Sequence, residues 1–319
     1  MSTGPGLSER RRFEGRRSIS LRVLLLAAAL FAAQPLPAAA PVQVASAPAV
    51  SLGSPELVAD GVLLYRLSDA ALLDPPGPVA VQALRLDPAK VRLEIGLAAD
   101  RLPARETVPH IVERRGALAA INSGFFALAD GRPAGFLKSR GAVIGRSRRA
   151  RGAVALTQRS GKSRLLFDRV RVVVSPQKKL EYQPRLGTSG KDWARAGQAV
   201  GGAGLLLLDG RALHEWRDEQ LAAGFDTRRH PRTLIGVDAR DAIWLVTIDG
   251  RQPQVSLGMN FVELQRLSRT LGLRSALNLD GGGSTTMVVK GVVVNHPSDE
   301  TGPRQVSDAI LVFAKETLR

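Results

Sequence analysis

The sequence predicts an α+β fold: a mixed, strand-rich sheet with packed helices, including a β-α-β unit near the C-terminus. Three observations predict it. Val91, Leu93, Ile95 and Leu97 alternate with Arg92, Glu94 and Gly96, the period of a half-buried strand. Residues 242–248 (Ala-Ile-Trp-Leu-Val-Thr-Ile) form a nearly continuous apolar run, as in a strand covered on both faces. Phe261, Leu264, Leu267 and Leu271 then recur at helical spacing, ahead of a second short apolar run at 276–279.

In chain order, the first segment reads as an address. Arg10-Arg11-Arg12 and Arg16-Arg17 precede an apolar run from Val23 to Ala33, and Ala38-Ala39-Ala40 and Ala45-Ser46-Ala47 follow. A basic start, a short apolar stretch and an Ala-x-Ala site describe a secretory signal peptide over 1–40. The run is too short to span a bilayer comfortably. No stable membrane anchor is therefore expected after cleavage, and the protein is expected in a periplasm or outside the cell. Residues 41–55, mostly Pro, Ala, Val and Ser, read as a flexible spacer. Residues 56–319 show no repeat and no linker, and are expected to form one folded domain.

Within that domain, residues 79–86 form a strand candidate, and Asp87-Pro88 supplies a turn toward the strand at 91–97. The two are expected to pair antiparallel. Residues 117–121 are apolar and end in Asn122-Ser123-Gly124-Phe125-Phe126. Residues 170–174 read as a strand, and 205–208 as a strand ended by the Asp209-Gly210 turn. The apolar run at 242–248 ends at Asp249-Gly250-Arg251. A helix over 259–271 stops at Gly272. Residues 276–279 form a strand running into Asp280-Gly281-Gly282-Gly283. Lys290-Gly291 marks a tight hairpin. Strand, helix and strand in this order predict a parallel pair joined by a crossover. Asp249 and Asp280 would then sit past the carboxyl ends of their strands, where open α/β sheets place ligands.

Composition narrows the function. There is no cysteine, so disulfides, thiolate metal sites, cysteine nucleophiles and lipoprotein anchoring are excluded. Formal charge is +16, and beyond residue 22 the chain keeps 39 basic against 27 acidic residues. Such a surface favours anionic partners, and a general preference for Arg would give the same balance, so charge alone does not decide between them. No basic stripe with interleaved aromatics is present, so no nucleic-acid partner is expected. The Arg146–Arg151 cluster reads as a solvated loop. His214, His230 and His296 lack paired ligand spacing, so no zinc site and no cofactor are expected. Calcium held by loop carboxylates and carbonyls stays open.

The strongest chemical signal is Asn278 to Thr286. Three consecutive glycines let the backbone turn sharply and approach a ligand, and free N–H groups there can bind an anion. Ser284, Thr285 and Thr286 add hydroxyls. The Gly-Lys-Ser/Thr ending of a phosphate-binding P-loop is missing. Arg251 and Arg232 supply guanidinium groups suited to phosphate. Asn122 offers an amide to a sugar hydroxyl. Read alone, Arg232 fits a charged strand start and Glu263 a salt-bridged helix residue.

Together these segments resemble the phosphodiester glycosidase family over about residues 115–315. The resemblance rests on residues 121–126, Pro231-Arg232-Thr233, Ile235-Gly236 and Asp249-Gly250-Arg251. It continues through 258–264, 278–286, Asn295, Pro297-Ser298-Asp299 and 303–307. It implies cleavage of a sugar-1-phosphodiester at the sugar side, on a phosphorylated sugar or glycan, with free sugar and a phosphomonoester as products. Phosphate charge would fall to Arg232, Arg251 and the loop of Asn278, Gly282, Gly283, Ser284 and Thr285. The oxocarbenium-like state needs a carboxylate. Asp280 is the first choice, with Asp249 and Glu263 behind it. Two other classes compete: a metal-dependent phosphodiesterase releasing sugar-1-phosphate, and a non-catalytic module binding anionic polysaccharide.

Overall fold

The computed structural model describes residues 52–315 except Glu215. The signal peptide assigned to 1–40 and spacer residues 41–51 lie outside the described residues. The domain is strand-rich. An eight-stranded sheet runs in the order Glu56–Ala59, Val62–Leu67, Val81–Leu86, Ile243–Ile248, Arg232–Asp238, Leu273–Asn278, Leu205–Leu208, Arg211–Ala212. A six-stranded sheet is built around the long hairpin Arg151–Arg159 and Lys162–Val174. A five-stranded sheet places Ala119–Asn122 between Met287–Val289 and Asp308–Ala314, with Val91–Leu97 at one edge. α-Helices span Val108–Arg115, Gly190–Arg195 and Phe261–Thr270.

The three sheets share one core. Val62 and Leu84 from the first, Val154 and Phe167 from the second, and Ile121 and Ile310 from the third belong to one buried cluster. The helix Phe261–Thr270 covers the other face of the eight-stranded sheet. Phe261, Leu264 and Leu267 pack there with Leu234, Trp244 and Val246. Each such side chain contributes about 1.5–3 kcal/mol by leaving water. Two covered faces explain why every residue of Ile243–Ile248 is apolar or buried: Leu245 turns to one cluster, Trp244 and Val246 to the other. Asn260 caps the helix, and Gly272 at φ +73° ends it. Lys290 (φ +50°) and Gly291 (φ +80°) form the tight hairpin turn that the sequence predicts.

Two expectations about pairing differ from the structure. Val81–Leu86 and Val91–Leu97 are both strands, but they do not pair. The first lies between Val62–Leu67 and Ile243–Ile248, and the second pairs with Asp308–Ala314. Asp87 turns the chain, its carbonyl accepting from Lys90 N–H at 3.0 Å, but the turn hands the chain to another sheet. Ile243–Ile248 and Leu273–Asn278 run in the same direction, but Arg232–Asp238 lies between them, antiparallel to both. The adjacent parallel pair is therefore replaced by a pair with an inserted strand. Periodicity specifies a strand and its buried faces; it carries no information about which edge supplies the partner. Among the described residues no helix is long and apolar enough to cross a membrane.

Candidate functional site

Three neighbouring strands end together. Arg232 pairs with Ile248 and Leu234 with Asn278. Asp249, Pro231 and Asp280 therefore meet at one end of the eight-stranded sheet. The five-stranded sheet delivers Asn122, Met287 and Asp308 to the same place. Ser123 joins the two: its N–H donates to the Asp308 carbonyl at 3.2 Å, and its carbonyl accepts from Asp280 N–H at 3.0 Å.

Asn122 is the node of this junction. Its Oδ1 accepts from Thr233 Oγ1 at 2.7 Å and Thr286 N–H at 3.1 Å, and its Nδ2 donates to the Asp280 carbonyl at 2.6 Å. It is fully buried. Asn122 thus holds the backbone of Asp280 rather than presenting an amide outward. Asn278 is likewise turned inward, donating to the Ala203 and Leu279 carbonyls.

The glycines serve close approach. A side chain on Gly281 would lie 2.6 Å from the Pro231 carbonyl. One on Gly282 (φ +62°) would lie 2.9 Å from Arg251 Nη2. One on Gly283 would lie 2.2 Å from both Arg304 Nη2 and Asp299 Oδ1. The row of free amides expected of an anion nest is mostly engaged. Gly281 N–H donates to Asp280 Oδ1 at 2.9 Å and Gly282 N–H to Pro231 at 2.9 Å. Ser284 and Thr285 N–H close a tight turn on Gly281 and Gly282. Two guanidinium groups instead lie directly on the glycine backbone. Arg251 is exposed and held at φ +61°, an uncommon conformation for a non-glycine residue. Arg304 is half-buried, with a two-point ion pair to Asp299 at 2.7 and 3.0 Å. Beside them opens a cleft of about 490 Å³ lined by Arg105, Thr107, Asp299 and Arg304.

Asp280 is partly exposed at the loop, yet burial of its carboxyl pushes it up to about 7. The nearby Ser284 hydroxyl, the hydrogen bond from Gly281 N–H and the charge of Arg304 oppose the rise, while the neighbouring carboxyl of Asp308 adds to it. Ser284 Oγ is near enough to act on that carboxyl but closes no hydrogen bond of standard geometry. Asp308 is itself buried and raised by desolvation. It accepts from Gly124 N–H at 2.8 Å and from Ser307 Oγ. Ser123 Oγ lies close enough to act on the Asp308 carboxyl, and among the described residues Asn278 Oδ1, Thr286 Oγ1 and His230 Nδ1 close no hydrogen bond of standard geometry. Buried hydrogen-bonding groups are normally met by protein or ordered water. His230 is pushed below its ordinary value by burial and by the charges of Arg232, Arg251 and Arg228, so it stays neutral at physiological pH.

The remaining candidates have inward roles. Asp249 is fully buried. Its carboxylate accepts from Asn295 Nδ2 at 3.0 Å, His296 N–H at 2.9 Å and Gln82 Nε2 at 3.2 Å. Burial raises it against those bonds. It anchors the loop carrying Asn295, and Asn295 in turn fixes Met287 N–H at 2.7 Å. Glu263 is the third residue of the helix that Asn260 caps. It accepts from Asn260 N–H at 2.9 Å, Asp74 N–H at 3.0 Å and Arg229 Nε at 2.9 Å. Arg232 is buried between the rings of Phe225 and Phe261. It donates to the Met259, Phe225 and Arg228 carbonyls. Burial lowers it to about 10, still protonated at neutral pH. Thr285 is buried beside Thr233.

Arg232→Ala should therefore act on the fold. It empties a stacked site and strands three carbonyls, and should destabilise by about 3–5 kcal/mol in chemical denaturation. An unchanged denaturation midpoint with weakened substrate affinity would return Arg232 to the ligand.

Arg304, Asp299, Asp308 and Ser123 are the residues near the loop that spacing alone does not single out; the motif segments 121–126, 297–299 and 303–307 contain Ser123, Asp299 and Arg304, and Asp308 lies just past the last of them. Among the described residues no group of three or more His, Cys, Asp or Glu side chains is placed to hold a metal.

The profile of the phosphodiester glycosidase family matches residues 115–313. The mouse N-acetylglucosamine-1-phosphodiester alpha-N-acetylglucosaminidase is 27% identical over 219 residues, covering 65% of this chain. The chain spans 40% of the length of that relative. Among solved structures, a hypothetical protein from Synechocystis superposes with a TM-score of 0.63 at 18% identity, covering 80% of this chain and 62% of that one. The catalytic domain of the zebrafish N-acetylglucosamine-1-phosphodiester alpha-N-acetylglucosaminidase, auto-inhibited by its pro-peptide, superposes with a TM-score of 0.58 at 21% identity. There the shares are 80% and 82%. At such identities the likeness is one of fold.

Proposed function

Because the chain belongs to the phosphodiester glycosidase family, we propose that it hydrolyses a sugar-1-phosphodiester, of the N-acetylglucosamine-1-phosphate type, to free sugar and a phosphomonoester. The observation that carries this reading is a carboxyl poised near 7 on a loop flanked by two guanidinium groups. A nucleophilic carboxylate works ionised, whereas a carboxyl poised near neutrality suits proton transfer. Asp280 is therefore the general acid. A phosphomonoester dianion takes up its first proton near pH 6, so transfer from Asp280 to the departing oxygen is close to balanced.

Arg304 and Arg251 stabilise the charge on the phosphate, and the cleft beyond Arg304 takes the group attached to it. The C1–O bond breaks with its electron pair on the phosphate oxygen, which takes the Asp280 proton. Water then bonds C1 and releases the proton that restores Asp280. Asn122 and Asp249 position this machinery without touching substrate. The reading includes export, supported by the leader-like pattern before residue 48, and a phosphorylated glycan as partner.

Hydrolysis of a defined N-acetylglucosamine-1-phosphodiester in heavy-oxygen water tests the reading. The label is expected in the free sugar and absent from the phosphate. Label in phosphate, with release of sugar-1-phosphate, would overturn it in favour of a phosphodiesterase.

A further inference from the structure

A second groove, of about 1120 Å³, lies away from the glycine loop. It opens between the strand Val91–Leu97, the hairpin of Arg151–Arg159 and Lys162–Val174, and the helix Gly190–Arg195. Gly152, which accepts from Gly202 N–H below Asn278, marks the site end of that hairpin. Arg159 is seven residues further along the strand, about 23 Å away.

The charges lining the groove do not cancel. Glu94 is engaged by Arg92 and Arg115, and Arg164 by Asp241. Asp192 feels the charge of Arg195, but its Oδ2 accepts from the Ser189 hydroxyl in a helix cap. Arg159, Lys162 and Arg195 have no carboxylate at ion-pair distance among the described residues. Moreover, Arg159 and Lys162 stand directly opposite each other at the end of the hairpin, closed by Ser160 (φ +49°) and Gly161 (φ +73°). Like charges directly opposite destabilise a strand pair, and a bound anion between them would relieve that repulsion.

The floor of the groove restricts the partner. Val91–Leu97 is an edge strand, and its free side is covered where Ser163 Oγ donates to the Val91 carbonyl at 2.7 Å and Gln198 Oε1 accepts from Ile95 N–H at 2.5 Å. Among the described residues, between them only Leu93 keeps open main-chain groups, by the alternation of an antiparallel edge. One residue is too little for a peptide to add as a strand. Among the described residues no aromatic side chain lines the groove for stacking of nucleobases. Thr157, Gln158, Ser160 and Gln198 instead offer hydroxyl and amide groups between the cations, a pattern that suits sugar hydroxyls carrying spaced negative charge.

We propose that this groove is a second, non-catalytic site that holds a linear polysaccharide bearing carboxylate or phosphate groups. Its occupancy is independent of the reaction at Asp280, so binding is read without turnover. The test is binding of a fluorescent oligogalacturonate to the full chain, with a neutral dextran oligosaccharide and a short DNA duplex as comparisons. Salt-sensitive binding of the oligogalacturonate alone is expected. Combined Arg159→Glu, Lys162→Glu and Arg195→Glu should weaken it at least about tenfold, whereas Asp280→Asn should bind as the native chain does. If the triple variant melts early, Lys162→Gln alone should still weaken binding about twofold. Absence of native binding, equal binding by the charge variants, equal binding of dextran, or DNA held as tightly through the same three residues would overturn the proposal.

Discussion

Asp280→Asn is expected to lower turnover about a thousandfold and, at the same time, to raise the melting temperature at pH 8. The second effect follows from the raised carboxyl. Folded, it titrates near 7; the ordinary value is 3.8. Below about pH 4 the group is neutral in both states, and the substitution changes little. As pH rises, the unfolded chain ionises first, so native stability falls until the folded group has ionised as well. Asn has no such transition. The melting-temperature gap should therefore open between about pH 4 and about pH 7 and then stay level. Turnover with a sugar-1-phosphodiester and melting curves across that range check both halves. Native turnover in the variant would remove Asp280 from catalysis. A gap constant in pH would mean that its carboxyl is not raised.

Arg304→Ala should lower turnover about a hundredfold, the scale of losing one donor to a developing anion. It should also move the alkaline limb of the pH–rate profile upward, because the Arg304 charge holds the Asp280 carboxyl down. Asp308→Asn should move the same limb downward, since the Asp308 carboxyl pushes Asp280 up. A general acid is lost as pH rises through its pKa, so these opposite displacements belong to one group. Limbs that stay in place in both variants would dissociate Arg304 and Asp308 from Asp280. Gly283→Ala should resemble Arg304→Ala in rate, since its methyl group would displace the Arg304–Asp299 pair from the loop.

Much of this was legible in the chain because it is local. The alternation at Val91–Leu97, the apolar stripe of Phe261–Thr270 and the stop at Gly272 depend on neighbours within a few residues. The glycine loop stood out because three glycines after a strand need a reason, and close approach by Pro231, Arg251 and Arg304 supplies it. Asp280 was legible as the carboxylate of that loop. Its pKa was not, because the groups that set it come from several elements.

Local pattern and motif order along the chain were enough to name several strands, the helix Phe261–Thr270 and the family. Which side chains gather at the glycine loop follows from how the sheets come together. Arg232 and Arg251 look alike along the chain, yet one stacks between Phe225 and Phe261 and the other lies on Gly282. Glu263 and Asp249 are carboxylates in motif positions, yet one caps a helix and the other binds Asn295 and His296. Asp308 reaches Gly124 across 184 residues. The physical reason is that a side chain's role depends on the partners that satisfy its charge and hydrogen bonds, and those partners are chosen by strand order, which periodicity does not encode.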